Sequence, residues 1–246
     1  MKIIGIVNNY PQHDNKTEET NKTTAQPVLF TKTDATILKD GKPFFVPDNM
    51  GTISWKSALV VRLCKLGKSV PARFAHRYYD AITIGVDFTA TDMQKQLAKE
   101  GLPWDLAKSF DGSLVLGSWL TIDQIKDVNM IQFNTNINEM PSSEGFTNDM
   151  LHKIDELIEY ISQFITIKTG DLLITGGVGE EQEVLINQHF EGFIEKYSIF
   201  IVDSTLNHLS LHRKTPFINE TTTCTYIAFN ACACLCCTTV TCPTLL

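Results

Sequence analysis

The chain has 246 residues, 43% of them hydrophobic, and a formal net charge of −7. That length holds one large domain or two small ones, and the apolar share suffices for a sizeable core. The acidic balance, without any run of like charges, argues against a nucleic-acid surface, which shows a basic stripe.

In chain order, "MKIIGIVNNYPQH" has too short an apolar run for a signal peptide. It reads as a first strand ending in a turn at Asn8, Asn9 and Pro11, and the expected compartment is the cytoplasm. The sequons at Asn15, Asn21 and Asn219 then carry no meaning, because glycosylation requires secretion. Residues 8–27 are polar and read as a loop. "PVLFTKTDATIL" predicts a strand, a break and another short strand, and "KDGKPFFVP" an Asp-Gly turn followed by extended chain. "TISWKSALVVRLCKLGKS" predicts a strand pair or one long strand ending at Gly67, and "ARFAHRYYDAITIGVDF" a helical turn feeding a strand that reaches Asp87. "TATDMQKQLAKEG" predicts a helix with Thr89 or Thr91 as N-cap and Gly101 as its stop.

"GSLVLGSWL" is strand-like, "TIDQIKDV" a short helix capped by Thr121, and "MIQFNTNINEM" alternates as a half-exposed strand does. Apolar residues at Met150, Leu151, Ile154, Leu157, Ile158 and Ile161 predict an amphipathic helix capped by Thr147 or Asn148. "KTGDLLITGGVGEEQEVL" predicts a turn, a strand, a glycine loop and another strand. Many short strands with few helices predict a mostly-β α+β domain, and no Gly/Ser/Pro linker divides it.

Six of the seven cysteines fall between Cys224 and Cys242, with no His, Asp or Glu among them and no paired CxxC spacing. A disordered or loosely docked terminus is the preferred reading. A thiolate metal site and a membrane tail are the alternatives, the latter disfavoured by Asn230, the threonines and Pro243. Elsewhere, "GGVGEE" opens no helical pattern and so is neither a P-loop nor a dinucleotide fingerprint. "FAHRYYD" reads as a core or interface cluster, and Cys64 as a packed residue.

"NNYPQH", "VDFTATDMQ", "GLPWDLAKSFD" and "LIEYISQFITIKTGDLLITGG", in that order, resemble the fumarylacetoacetate hydrolase family. The resemblance covers about residues 2–196. It implies a β-rich roll of mixed sheets, a homodimer, and hydrolysis, decarboxylation or isomerisation of β-keto or acylpyruvate acids with Mg²⁺ or Mn²⁺. Residues 197–246 look foreign to such a domain and are expected to form an atypical tail. A hard divalent cation needs carboxylate oxygens, polarises a 1,3-dicarbonyl and stabilises the departing enolate. A lid histidine paired with a carboxylate activates water, and a lysine neutralises developing negative charge.

The resemblance gives Asp87 the place of a metal ligand, Lys108 that of the substrate-side lysine, His13 that of the lid histidine and Thr175 that of a substrate contact. The departures fall on the same chemistry. The Glu-x-Glu that the family places before "LVVRI" is Lys56 and Ala58 here, so two of three carboxylates are gone and a cation replaces one. The lid pattern His-x-x-Glu is His13 and Lys16, with Glu18 and Glu19 further on; the arginine of "TARD" is Thr91; "TGTP" continues as Gly177 and Val178; and a glutamine is Ser143. The chain is therefore expected to be a catalytically impaired family member with weak or absent metal binding, its partner a small oxo acid, with no nucleic acid and no membrane. The alternative is an active metal-dependent C–C bond hydrolase or isomerase whose ligands the sequence does not reveal.

Overall fold

A computed structural model of the protein describes residues 1–11, 26–39 and 42–206. Its strands are β1 (Ile3–Val7), β2 (Val28–Lys32), β3 (Phe44–Val46), β4 (Ile53–Leu63), β5 (Tyr79–Ala90), β6 (Leu114–Leu116), β7 (Leu120–Thr121), β8 (Gln132–Ile137), β9 (Met140–Phe146), β10 (Leu172–Glu183), β11 (His189–Ile194) and β12 (Tyr197–Leu206). Its helices are α1 (Ala72–Ala75), α2 (Thr91–Lys99), α3 (Asp105–Lys108) and α4 (Ile154–Phe164). One sheet runs β2-β1-β10-β4-β5-β6, with β7 also on β5, and a five-stranded sheet runs β3-β12-β11-β8-β9. β1 pairs β10 in parallel and β12 pairs β3 in parallel, while the other ladders are antiparallel, so both sheets are mixed. The protein is mostly β with few helices, as the sequence pattern predicts.

The period of two in β4 and β5 separates the core from the site. Trp55, Leu59 and Val61 of β4 and Ile84, Val86 and Phe88 of β5 join the main core cluster. There Phe190 of β11 meets Trp55 and Phe88 edge-on at centroid distances of 5.3 and 6.2 Å, and Phe44 of β3 stacks on Phe88 at 3.9 Å. Adjacent residues in a strand face opposite ways. Lys56, Ala58, Asp87 and Thr89 therefore lie on the other face. That face carries a second apolar cluster that includes Ile3, Phe30, Ala58, Leu114 and Ile174.

Several local expectations change. The Trp55 segment is one strand, ending at Leu63 rather than Gly67. α2 has Ala90 at its N-cap, since the Thr91 hydroxyl lies 2.6 Å from Ser54 Oγ. Gly101 does follow α2, at φ +70°. α4 begins at Ile154 behind Lys153. Thr147 does not cap it, because its hydroxyl accepts the Ile131 N–H at 2.9 Å and Thr147–Asp149 form a separate 3-10 turn. Thr121 does cap a 3-10 turn, Ile122–Gln124. The expected glycine loop is a bulged stretch inside β10, with register shifts between Ile174 and Gly177 and between Val178 and Gln182. Gly176 (φ +118°) and Gly179 (φ +75°) supply the left-handed backbone there. The Asp40–Gly41 turn, residues 12–25 and the cysteine-rich segment lie outside the described residues. No described helix is long and apolar enough to cross a membrane.

The boundary drawn at Lys196 falls between two paired strands. β12 forms ladders with β11 from Tyr197 to Asp203 and with β3 from Ser204 to Leu206. The sequence conceals the second of these ladders, because β3 lies far from β12 along the chain. Ending the chain at Lys196 is expected to abolish cooperative unfolding, because it opens the edges of β11 and β3. Urea unfolding followed by near-ultraviolet circular dichroism checks this, and a sharp transition at the full-length midpoint would contradict it.

Candidate active site

Asp87 sits on β5 opposite Lys56 of β4 and Leu114 of β6, and is 5% exposed. Two ammonium groups hold its carboxylate. Lys108 Nζ, at the end of α3, donates to Asp87 Oδ2 at 3.0 Å and to Thr89 Oγ1 at 2.7 Å, and stands 5.2 Å from the centre of the Phe30 ring. Lys32 Nζ, at the end of β2, lies 2.8 Å from Asp87 Oδ1. That contact is an ion pair by distance, and no well-directed hydrogen bond reaches Oδ1. At such a separation in a buried site the charge attraction decides the interaction.

Lys32 is the residue that sequence reasoning missed. Its side chain is fully buried, and Nζ donates to Ser113 O at 3.0 Å, to Ser113 Oγ at 2.9 Å and to the Lys108 carbonyl. The signal was present in "VLFTK": Phe30 and Lys32 share one face of β2, and Phe30 is buried. A lysine on the buried face of a strand needs a carboxylate partner. Burial pulls the Lys32 ammonium below the ordinary lysine range, and Asp87 offsets only part of that. Burial also pushes the Asp87 carboxyl up, but Lys108 and Lys32 together outweigh it and hold the group below the usual carboxylate range.

Beside this cluster opens a cleft of about 170 Å³, whose charged lining residues are Lys56, Asp87, Lys108 and Glu181. Glu181, from the outer part of β10, is a second carboxylate that the sequence did not single out. Its Oε1 accepts from Ser54 Oγ and, at 3.3 Å, from Thr91 Oγ1. Ala58 is fully buried below the cleft and does not line it. Thr175 is also fully buried, and its hydroxyl donates to Leu59 O at 3.0 Å and lies 3.3 Å from Tyr10 Oη. Alternation after Ile174 turns Thr175 into the core, and the bulge that follows presents Gly177 to the cleft. Ser143 is buried too, with Oγ donating to Val178 O at 3.3 Å. His13, Lys16, Glu18 and Glu19 lie outside the described residues.

The profile "Fumarylacetoacetate (FAA) hydrolase C-terminal" matches residues 2–197. The chain belongs to the fumarylacetoacetate hydrolase family. It is 32% identical over 184 residues to mouse "Oxaloacetate tautomerase FAHD1, mitochondrial", covering 74% of this chain and 82% of that protein. It is 30% identical over 182 residues to the "Oxaloacetate decarboxylase, mitochondrial" of Dictyostelium discoideum, covering 72% and 83%. Its fold is similar to fumarylpyruvate hydrolase from Pseudomonas aeruginosa in complex with Mn²⁺ and pyruvate. The TM-score is 0.75 at 21% identity, covering 84% of this chain and 90% of that one.

The family implies a divalent metal, and the described residues around Asp87 do not fit one. Both Asp87 oxygens already face ammonium groups, Lys56 stands directly across the ladder, and Ala58 offers no donor. Among the described residues, no group of three His, Cys, Asp or Glu side chains could hold a metal.

Asp87→Asn is expected to destabilise the fold by about 3–5 kcal/mol at neutral pH, because it strands the buried Lys32 charge. The Asp87 pKa is depressed by folding, so its stabilisation is complete above the unfolded carboxylate range and is lost as pH falls through the lower, folded pKa. The gap between wild type and variant should therefore persist to about pH 4 and narrow only below it. Denaturant melts across that range check the sign; a gap that closes above pH 5 would contradict it.

Proposed function

We propose that this fumarylacetoacetate hydrolase family member retains a cleft for a small oxo acid but does not run divalent-metal chemistry. One observation carries the reading: each oxygen of the sole carboxylate at the expected ligand positions faces an ammonium group. A metal would have to displace Lys32 or Lys108 from Asp87, and displacing Lys32 leaves a charge stranded in the core. The small oxo acid is supported by the relatives, which are named for oxaloacetate, and by the pyruvate in the P. aeruginosa structure. The modest volume of the cleft agrees with a ligand of a few heavy atoms.

In this reading Asp87 and Lys32 are structural, Lys108 contributes charge at the rim of the cleft, and His13 has no paired carboxylate, because Lys16 stands at the Glu of the His-x-x-Glu pattern. An active metal-dependent hydrolase or isomerase is the second reading. Glu181 favours it, being a carboxylate on the same cleft as Asp87. We also take the protein to be a homodimer, as the family resemblance implies; light scattering on the full chain tests that, and a monomer counts against it.

Mn²⁺ titration followed by electron paramagnetic resonance separates the two readings. Wild type is expected to bind on the order of millimolar or weaker, as an isolated carboxylate pair would. Acylpyruvate hydrolysis and oxaloacetate decarboxylation should stay at background. Lys56→Glu should tighten Mn²⁺ binding by at least about tenfold, since it exchanges a repelling charge for a ligand two positions from Ala58. Ala58→Glu alone should chiefly destabilise, because it buries a carboxylate in an apolar cluster. Micromolar Mn²⁺ binding by wild type that is lost in Glu181→Gln would establish the second reading.

A further inference from the structure

Lys56 and Gly177 are fitted to each other. A Cβ placed on Gly177 would lie 2.8 Å from both Cβ and Cδ of Lys56, and 3.3 Å from its Cγ. Carbon atoms in contact normally stand about 3.5–4.0 Å apart, so no side chain at 177 coexists with this path of the lysine stem. The backbone does not impose the glycine. Unlike Gly176 and Gly179, Gly177 is not in the positive-φ region and has a conformation open to other residues. The space left by the absent side chain is filled by lysine methylenes, and both residues line the cleft.

We propose that Lys56, seated across Gly177, is the fixed cation that receives the carboxylate of a small oxo acid, with no divalent ion taking part. This rests on the reading that the metal is lost, and specifies what took over its charge. A cation on a packed stem loses little rotamer freedom on binding, which favours a charge-assisted hydrogen bond to a carboxylate. Lys108 lies on the same cleft with Asp87 and Thr89 occupying two of its three donors, which leaves one for a second ligand oxygen. Phe30, Val7 and Ile174 give the cleft apolar walls for a short carbon chain, and Gln94 adds an amide. The ligand class is therefore a short mono- or dicarboxylate with an adjacent oxygen, for which oxalate and pyruvate are probes.

Calorimetric titration of full-length protein with oxalate and with pyruvate, in EDTA, tests the proposal. Oxalate should bind without metal, weaken as salt is raised, and bind no more tightly with Mn²⁺ in place of EDTA once oxalate chelated by free Mn²⁺ is accounted for. Lys56→Met keeps the stem and removes the charge, so it should fold normally and lose about tenfold or more in affinity. Gly177→Ala should displace the stem, lowering both oxalate affinity and melting temperature. In a Lys56→Ala background the same change should have a clearly smaller effect on both, because only the contact with the Cβ of residue 56 then remains. Wild-type affinity in Lys56→Met, or an equal effect of Gly177→Ala in both backgrounds, overturns the proposal. So does failure of oxalate to bind when Mn²⁺ also fails, an outcome that leaves the metal-loss reading standing. Oxalate binding that requires Mn²⁺ overturns both.

Discussion

A carboxylate caught between two ammonium groups organises this end of the molecule. Asp87 on β5 joins Lys32 on β2 to Lys108 on α3, and Lys32 in turn binds the carbonyls of Lys108 and Ser113. Three segments distant in sequence are held by one buried charge cluster. Removing any of these charges from water costs several kcal/mol, which mutual attraction and the surrounding carbonyls must offset. The cluster is accordingly satisfied from within, and a further cation at Asp87 competes with protein groups rather than with water.

The strands that carry the site also carry the core, on opposite faces. Trp55 and Phe88 look toward Phe190 and Phe44, while their neighbours Lys56 and Asp87 look the other way. Exchange of a site-face residue therefore leaves the aromatic packing intact. Ala58 shows how far this goes: at its position the site face has become part of a small apolar cluster with Phe30, Leu114 and Ile174. Packing thus continues beneath the cleft at Ala58. Burial of apolar area on these faces, not the charged site, supplies most of the fold's stability.

The bulge in β10 decides what the cleft meets. Without it, alternation from Ile174 would give Gly176 and Val178 to the cleft face. The register shift delivers Gly177 instead, while the Thr175 hydroxyl, on the opposite face from Ile174, donates to the Leu59 carbonyl. Asn9 locks the same place from the other side, donating to the carbonyls of Thr175 and His152. A segment that reads as a flexible glycine loop is thus a pinned strand, and the pairing of Gly177 with Lys56 follows from that pinning.

The mostly-β class, the strand reaching Asp87, the period-two faces of β4 and the helix around Leu157 are legible in the sequence alone. These are local properties: alternation, helical period and residue identity act over a few neighbours. The sequence alone did not determine the caps of α2 and α4, the strand beyond Tyr197, the inward turn of Thr175 or the roles of Lys32 and Glu181. Each depends on a partner elsewhere along the chain: Ser54 for Thr91, Ile131 for Thr147, β3 for β12, Leu59 for Thr175, Asp87 for Lys32 and Ser54 for Glu181. Only the tertiary structure decided those, because a hydroxyl, a strand edge or a buried charge takes its role from whichever group the fold brings within hydrogen-bonding distance.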